Sequence, residues 1–295
     1  MKKSYILAGI AIIGWSTLAP ITKLLVTDLP NMQVLFISSS IAFLFLFLFN
    51  CNRKNLHILR SYTFKDIAIQ AGLGTLGLFL YTSLFNFGVE SLSSQDANII
   101  NYLWPLMIIL FSIPILKEKL TFRKIAAVLL SFFGLLIIVT RGNFSAIEME
   151  NLAGVFACIG AAVCSGLFSV LNKKTNYNQF IGMMLFFGVT ALFSGIGFLI
   201  GGNFQPLTMA QTGGLLWLGI AANAIAYLTW ALALKIGETA KISNLAYIIP
   251  FLAIILSAVL VGENVYAHSI IGLLFIILGI VIQNVKLKKQ ERVTS

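Results

Sequence analysis

The stretch Asn101-Tyr102-Leu103-Trp104-Pro105 sits at the centre of an apolar run from Gln95 to Leu116. A run of about 20 such residues is long enough to cross a bilayer as a helix. Tyr and Trp ordinarily mark the two ends of such helices, at the level of the lipid headgroups. Here a phenol, an indole, an amide and a helix-breaking proline meet near the middle. Proline has no N–H for the carbonyl four residues back, so the oxygen of Asn101 loses its helical partner. Lipid gives no reason to hold these groups at that depth, whereas a pocket inside a helical bundle does.

The composition agrees with that reading. Of 295 residues, 59% are hydrophobic and only 10% charged, which a soluble domain does not show. The net charge of +10 is carried by short groups of Lys and Arg between apolar runs. Nucleic-acid binders gather such charge on one face, so a nucleic-acid partner is not expected. Cys51, Cys158 and Cys164 form no metal-binding or disulfide framework, and neither a metal nor a cofactor is expected. The apolar stretch after Lys2-Lys3 exceeds signal-peptide length and lacks a small-x-small cleavage site, so it reads as a first, retained span.

The fold class is therefore an all-α membrane protein. Ten transmembrane helices are predicted, at about 4–24, 32–49, 66–87, 95–116, 123–140, 152–171, 179–200, 212–234, 240–260 and 267–285. With the N-terminus inside, all but Lys23 and Arg141 of the 20 Lys and Arg residues fall on the inner side. That bias predicts a multi-pass protein of the plasma (inner) membrane, in contact with lipid, with both termini cytoplasmic.

The chain also repeats itself. An offset of 145 places Pro105 on Pro250, Tyr102 on Tyr247, Ser112 on Ser257, Glu118 on Glu263 and Gly134 on Gly279. Upstream, an offset of 149 pairs Ser16 with Ser165, Tyr81 with Trp230 and Gly88 with Gly237. The expected organisation is a first five-helix repeat over 1–143, a second over 151–288 and a cytoplasmic tail at 289–295. An odd number of spans per half makes the repeats inverted, the architecture of secondary transporters with a midplane site.

Polar and aromatic residues fall in stripes on these helices. Asn98, Asn101, Trp104 and Pro105 share one face of the fourth span, and Asn244, Tyr247 and Pro250 one face of the ninth. Asn223, Tyr227 and Trp230 recur along the eighth span; Trp15, Ser16 and Pro20 lie in the first. Tyr81 adds to them from the third span, Tyr102 from the fourth and Cys164, Ser165 and Ser169 from the sixth. Tyr5, Tyr62, Tyr177, Trp217 and Tyr266 lie near span ends and read as interface anchors. The interior groups fit a substrate cavity, and taken singly they also fit interhelical packing. Gly72, Gly74, Gly77, Gly195 and Gly197 suit close helix approach.

Charge inside the spans is sparse. Lys23 is expected to snorkel outward, and Asp96 lies in a first helical turn, where a carboxylate complements the dipole. Glu118 and Glu263 read as junction or capping groups. The chain has no His-Glu-x-x-His helix, no buried carboxylate pair and no phosphate-cradling Gly-Lys-Ser/Thr loop. Membrane protease and ATP-driven motor chemistries are thus not expected, and the chain does not read as an enzyme.

The two runs Pro105, Glu118, Gly134 and Pro250, Glu263, Gly279 resemble those of the drug/metabolite transporter superfamily, in its EamA group of ten-helix proteins. The likeness covers nearly the whole chain. Asn101 to Pro105 is similar to the fourth helix of bacterial aromatic amino-acid exporters, and Trp15-Ser16-Thr17 and Asn172-Lys173 are similar to their first and sixth helices. Cys164 departs from the Trp those exporters tend to carry. The resemblance implies alternating access through a central cavity and a small-molecule substrate: an aromatic or other neutral amino acid or a related metabolite, probable export being its direction. Together with the stripes, it gives the candidate substrate-binding residues Trp15, Ser16, Tyr81, Asn98, Asn101, Tyr102, Trp104, Cys164, Asn223, Tyr227, Trp230, Asn244 and Tyr247. A different metabolite, an amphipathic toxin or a non-transporting scaffold or receptor are the alternatives.

Overall fold

A computed structural model describes residues 2–117, 122–139, 151–175, 177–201, 203–236, 245 and 248–284. Among them all regular structure is helical. The first predicted span is two helices, α1 (Lys2–Ser16) and α2 (Leu18–Val26), separated at Thr17. The second is α3 (Asn31–Asn52); the third is α4 (Phe64–Gly74) and α5 (Tyr81–Ser91). The fourth divides into α6 (Ser94–Asn101) and α7 (Trp104–Leu116), followed by α8 (Phe122–Val139), α9 (Leu152–Lys173) and α10 (Gln179–Gly201). Then come α11 (Met209–Leu216), α12 (Ala226–Ile236), α13 (Ile248–Leu260) and α14 (Ala267–Asn284).

Among the described residues six helical stretches are long and apolar enough to cross a membrane: Lys3–Val26, Asn31–Asn52, Phe64–Ser91, Leu152–Asn172, Gln179–Gly201 and Met209–Trp230. Ile248–Leu260 and Ala267–Gly279 are shorter apolar helices. Two features were not expected from the sequence. Thr75–Leu80 and Trp217–Ile225 are wider, π-helical turns that join α4 to α5 and α11 to α12. Such turns shift the faces of the helix on either side of them and recur at functional sites.

Local chemistry sets several starts. Thr63 and Asp66 form a capping box before α4, and Thr208 and Gln211 form one before α11. The two boxes are 145 apart, as are the starts of α5 and α12 (81 and 226). The packing keeps the same offset. A Cβ at Gly74 would lie 2.8 Å from Phe186 Cα, and one at Gly219 would lie 2.6 Å from Ile41 Cβ. Both partners differ by 145 too (219 − 74 and 186 − 41), and Phe43 meets Gly188, its own position plus 145. These spacings are 145, the offset of Pro105 from Pro250, rather than 149.

Glycine therefore admits the approach of α4 to α10 and of the second π-helical turn to α3. Gly195 does the same against Phe36 of α3. Gly72 is a correction, because nothing lies within 4 Å of the position its Cβ would take. The largest packed core joins Ile12, Ala19, Phe85, Ile99, Tyr102, Leu103, Cys158, Ile249 and Leu273. It thus draws on α1, α2, α5, α6, α9, α13 and α14 and surrounds the break between α6 and α7.

Candidate functional site

The break in the fourth span begins at Asn101. Beyond it the ladder tightens: the Tyr102 N–H donates to both Asn98 O and Ile99 O at 3.0 Å, and the Leu103 N–H donates to Ile100 O at 3.0 Å. The helix restarts at Trp104 with Pro105 in its first turn, where a missing N–H costs least. The break is therefore encoded by the proline, and it turns the end of α6 into the core.

The Asn101 Nδ2 donates to the Tyr81 hydroxyl at 3.1 Å, which ties α6 to α5 just past the π-helical turn. The Asn101 Oδ1 and, one turn earlier, the Asn98 Nδ2 are buried with no partner among the described residues. Buried polar atoms are nearly always paired, since an unmet one costs about 1–3 kcal/mol. One acceptor and one donor thus stand ready on adjacent turns, a complement for a solute that carries both.

Aromatic rings pack on the core into which these amides project. Tyr81 stacks on Phe85 with centroids 6.1 Å apart and planes 7° apart. Tyr102 and Trp104 meet edge-on at 6.2 Å. Trp15 touches Tyr227 edge-on at 5.2 Å and Trp230 at 5.3 Å, and Tyr227 in turn meets Phe187 of α10 at 5.8 Å. Trp15, Tyr81, Trp104 and Trp230 all pack on the same core cluster, and all four remain half-buried. Ser16 is fully buried; its hydroxyl donates to Ile12 O at 2.7 Å and lies 3.4 Å from Ile249 O of α13. This back-bonding, with Pro20 in α2, accompanies the interruption of the first span at Thr17.

The structure therefore gathers Trp15, Ser16, Tyr81, Asn98, Asn101, Tyr102, Trp104 and Trp230 around one core, with Tyr227 joined through Trp15. Cys164 on α9 and Asn223 in the second π-helical turn are half-buried. Among the described residues no hydrogen bond or ring contact joins either to that group. Asn244 and Tyr247 lie outside the described residues, as do Glu118 and the tail at 289–295.

Three placements depart from the sequence reading or extend it. Trp217, expected to be an interface anchor, donates its indole N–H to the Thr17 hydroxyl at 2.7 Å, at the break of the first span. Lys23 does not snorkel freely: its Nζ donates to the carbonyls of Val89, Glu90 and Leu92 at 2.8, 3.1 and 2.8 Å. It thereby satisfies the C-terminal end of α5, where a cation opposes the helix dipole. Glu263 is a cap, but for another helix: Oε1 accepts from the Ser94 N–H at 2.7 Å, and Oε2 from the Ser94 hydroxyl at 3.0 Å and the Gln95 N–H at 3.2 Å. The described Lys and Arg side chains lie at helix ends or in connections, away from the amides. No group of three or more metal-ligating side chains occurs among the described residues.

These features define a multi-pass helical membrane protein with a polar, aromatic interior. The chain matches the EamA-like transporter family over residues 2–140 and again over 152–285. It belongs to that family and is accordingly a transporter of small molecules rather than an enzyme. An uncharacterized transporter of Clostridium kluyveri is 28% identical over 98% of this chain and 95% of its own. A probable terminal-alkyne amino-acid exporter of Streptantibioticus cattleyicolor is 22% identical over 78% of this chain and 77% of its own. The aromatic amino acid exporter YddG of Ancylobacter novellus is 26% identical over 64% of this chain and 65% of its own. One solved crystal structure superimposes with a TM-score of 0.70 over 96% of both chains at 22% identity, a likeness of fold.

Proposed function

We propose that this transporter moves neutral amino acids with an aromatic or apolar side chain out of the cell, by alternating access. In this reading it spans the plasma membrane ten times as two inverted five-helix repeats, 1–143 and 151–288, with both termini cytoplasmic. The shared offset of 145 between capping boxes and between the Gly74–Phe186 and Gly219–Ile41 contacts supports the two related halves. The twofold match to one family supports it as well.

The observation that carries the substrate class is the pair of buried amides without full pairing, Asn98 and Asn101, among Trp15, Tyr81 and Trp104. Asn101 Oδ1 accepts from an ammonium and Asn98 Nδ2 donates to a carboxylate, while the rings receive a flat or apolar side chain. A phosphorylated solute would call for Lys or Arg at the amides. Two relatives are exporters of amino acids by name, in agreement with the chemistry. Cys164, Asn223, Asn244 and Tyr247 belong to the same proposed cavity on their sequence stripes. The purified protein in liposomes, loaded with a panel of unlabelled amino acids and offered each labelled, should show saturable counterflow for aromatic or large neutral members. Counterflow of some other metabolite alone would overturn the substrate class, and no saturable flux of any solute would favour a scaffold.

A further inference from the structure

Beside the central amides, the end of the bundle away from the N-terminus of α1 holds a second polar assembly. Three bonds to the Glu263 carboxylate join the connection between α13 and α14 to the first turn of α6. Around them the Ser257 and Ser94 hydroxyls lie 2.7 Å apart, Ser94 being the acceptor because its own proton goes to Glu263, and the Gln95 Nε2 donates to Asn264 O at 3.1 Å. The Ser269 hydroxyl donates to Asp96 Oδ1 at 2.7 Å. Each of these bonds runs between residues 94–96 and residues 257–269, so each crosses from one half of the chain to the other. Lys23, by contrast, binds carbonyls of its own half and holds α2 to α5.

We propose that Glu263 is the latch of the outer gate, a positioning residue that holds α6 shut against α13 and α14 and lets go when the transporter opens outward. The assignment rests on the alternating-access and orientation readings above. Its physical basis is the chemistry of the contact. Separating glycine-tight helices exposes apolar surface, which opposes opening at roughly 25 cal/mol per Å². Separating Glu263 from Ser94 and Gln95 exposes a carboxylate and N–H and O–H donors, all of which water solvates well. The contact is therefore firm when dry and readily exchanged when wet. Because α6 ends at Asn101 seven residues from Ser94, release at Glu263 moves the helix that presents both unpaired amides.

The latch is tested with spin labels at Glu90→Cys and Val265→Cys, two exposed positions on either side of it, in protein lacking Cys51 and Cys164. Cys158 is fully buried and stays. Distances between the labels are read by pulsed electron resonance in lipid nanodiscs. Glu263→Gln should at least double the fraction of molecules at the longer distance. Ser269→Ala, which removes one crossing bond and is safer for folding, should move the fraction the same way by less. An unchanged distribution in both variants would overturn the latch. Counterflow through the protein with native cysteines separates this from the transport reading. Lengthened distances without flux of any solute would break that reading alone, and flux with unchanged distances would break the latch alone.

Discussion

The seams that α3 and α10 make with their neighbours and the junction of α6 with α7 are both buried, and they are built in opposite ways. At the seams, Gly74 and Gly219 let backbones close on Phe186 and Ile41 with no room for one more carbon. At the junction, Asn98 and Asn101 keep polar atoms that no described residue pairs. The seams serve stability, and their optimum is full contact. The junction costs stability, and such a cost is retained where a ligand meets those atoms.

The largest effect should come from the seams. Gly74→Leu or Gly219→Leu drives side-chain carbon into backbone or a β-branched side chain, and overpacking costs about 1–3 kcal/mol or more. Little monodisperse protein should survive size-exclusion chromatography in detergent, and the Ala variants should melt well below the parent. At the junction the order reverses. Trp104→Ala and Asn101→Ala should lower counterflow by about tenfold, the effect of losing about 1.4 kcal/mol of substrate interaction, in protein that still elutes as a single species. Asn98→Leu should be milder: flux falls several-fold while the melting temperature holds or rises, because an unmet amide of similar shape is removed. The smallest change is expected for Trp217→Phe. It deletes one satisfied bond, to Thr17, worth about 1 kcal/mol of stability, and counterflow should stay near that of the parent.

Much of the helical layout was legible in the sequence because lipid demands long apolar runs, and run length is read directly. Asn31–Asn52, Leu152–Lys173 and Gln179–Gly201 fall within a few residues of their expected limits. The break at Tyr102-Leu103 was half legible: Pro105 announced a lost bond, but apolar periodicity continues across it and gave one helix. The π-helical turns at Thr75–Leu80 and Trp217–Ile225 left no mark, since widening the ladder needs no special residue. Upstream, scattered identities gave an offset of 149, whereas the capping boxes at Thr63 and Thr208 are 145 apart.

Within the site, the stripe of Asn98, Asn101 and Trp104 was visible, and so was Glu263 as a junction or capping group. The residues it caps were not, because Ser94 and Glu263 are distant in sequence and only the fold brings them together. Lys23 misled for a related reason. A lysine near a span end ordinarily reaches for water, and only the carbonyls of Val89 and Leu92 reveal a better partner. The bond from Asn101 to Tyr81 likewise depends on how α5 and α6 pack.

The central claim is that the unpaired amides and the rings beside them hold the transported amino acid. Its most direct test compares counterflow of one labelled large neutral amino acid through the parent, Asn101→Ala and Trp217→Phe in matched proteoliposomes. The account predicts saturable exchange by the parent and Trp217→Phe, and about tenfold slower exchange by Asn101→Ala. Equal rates for all three, in protein shown to be folded, would contradict it.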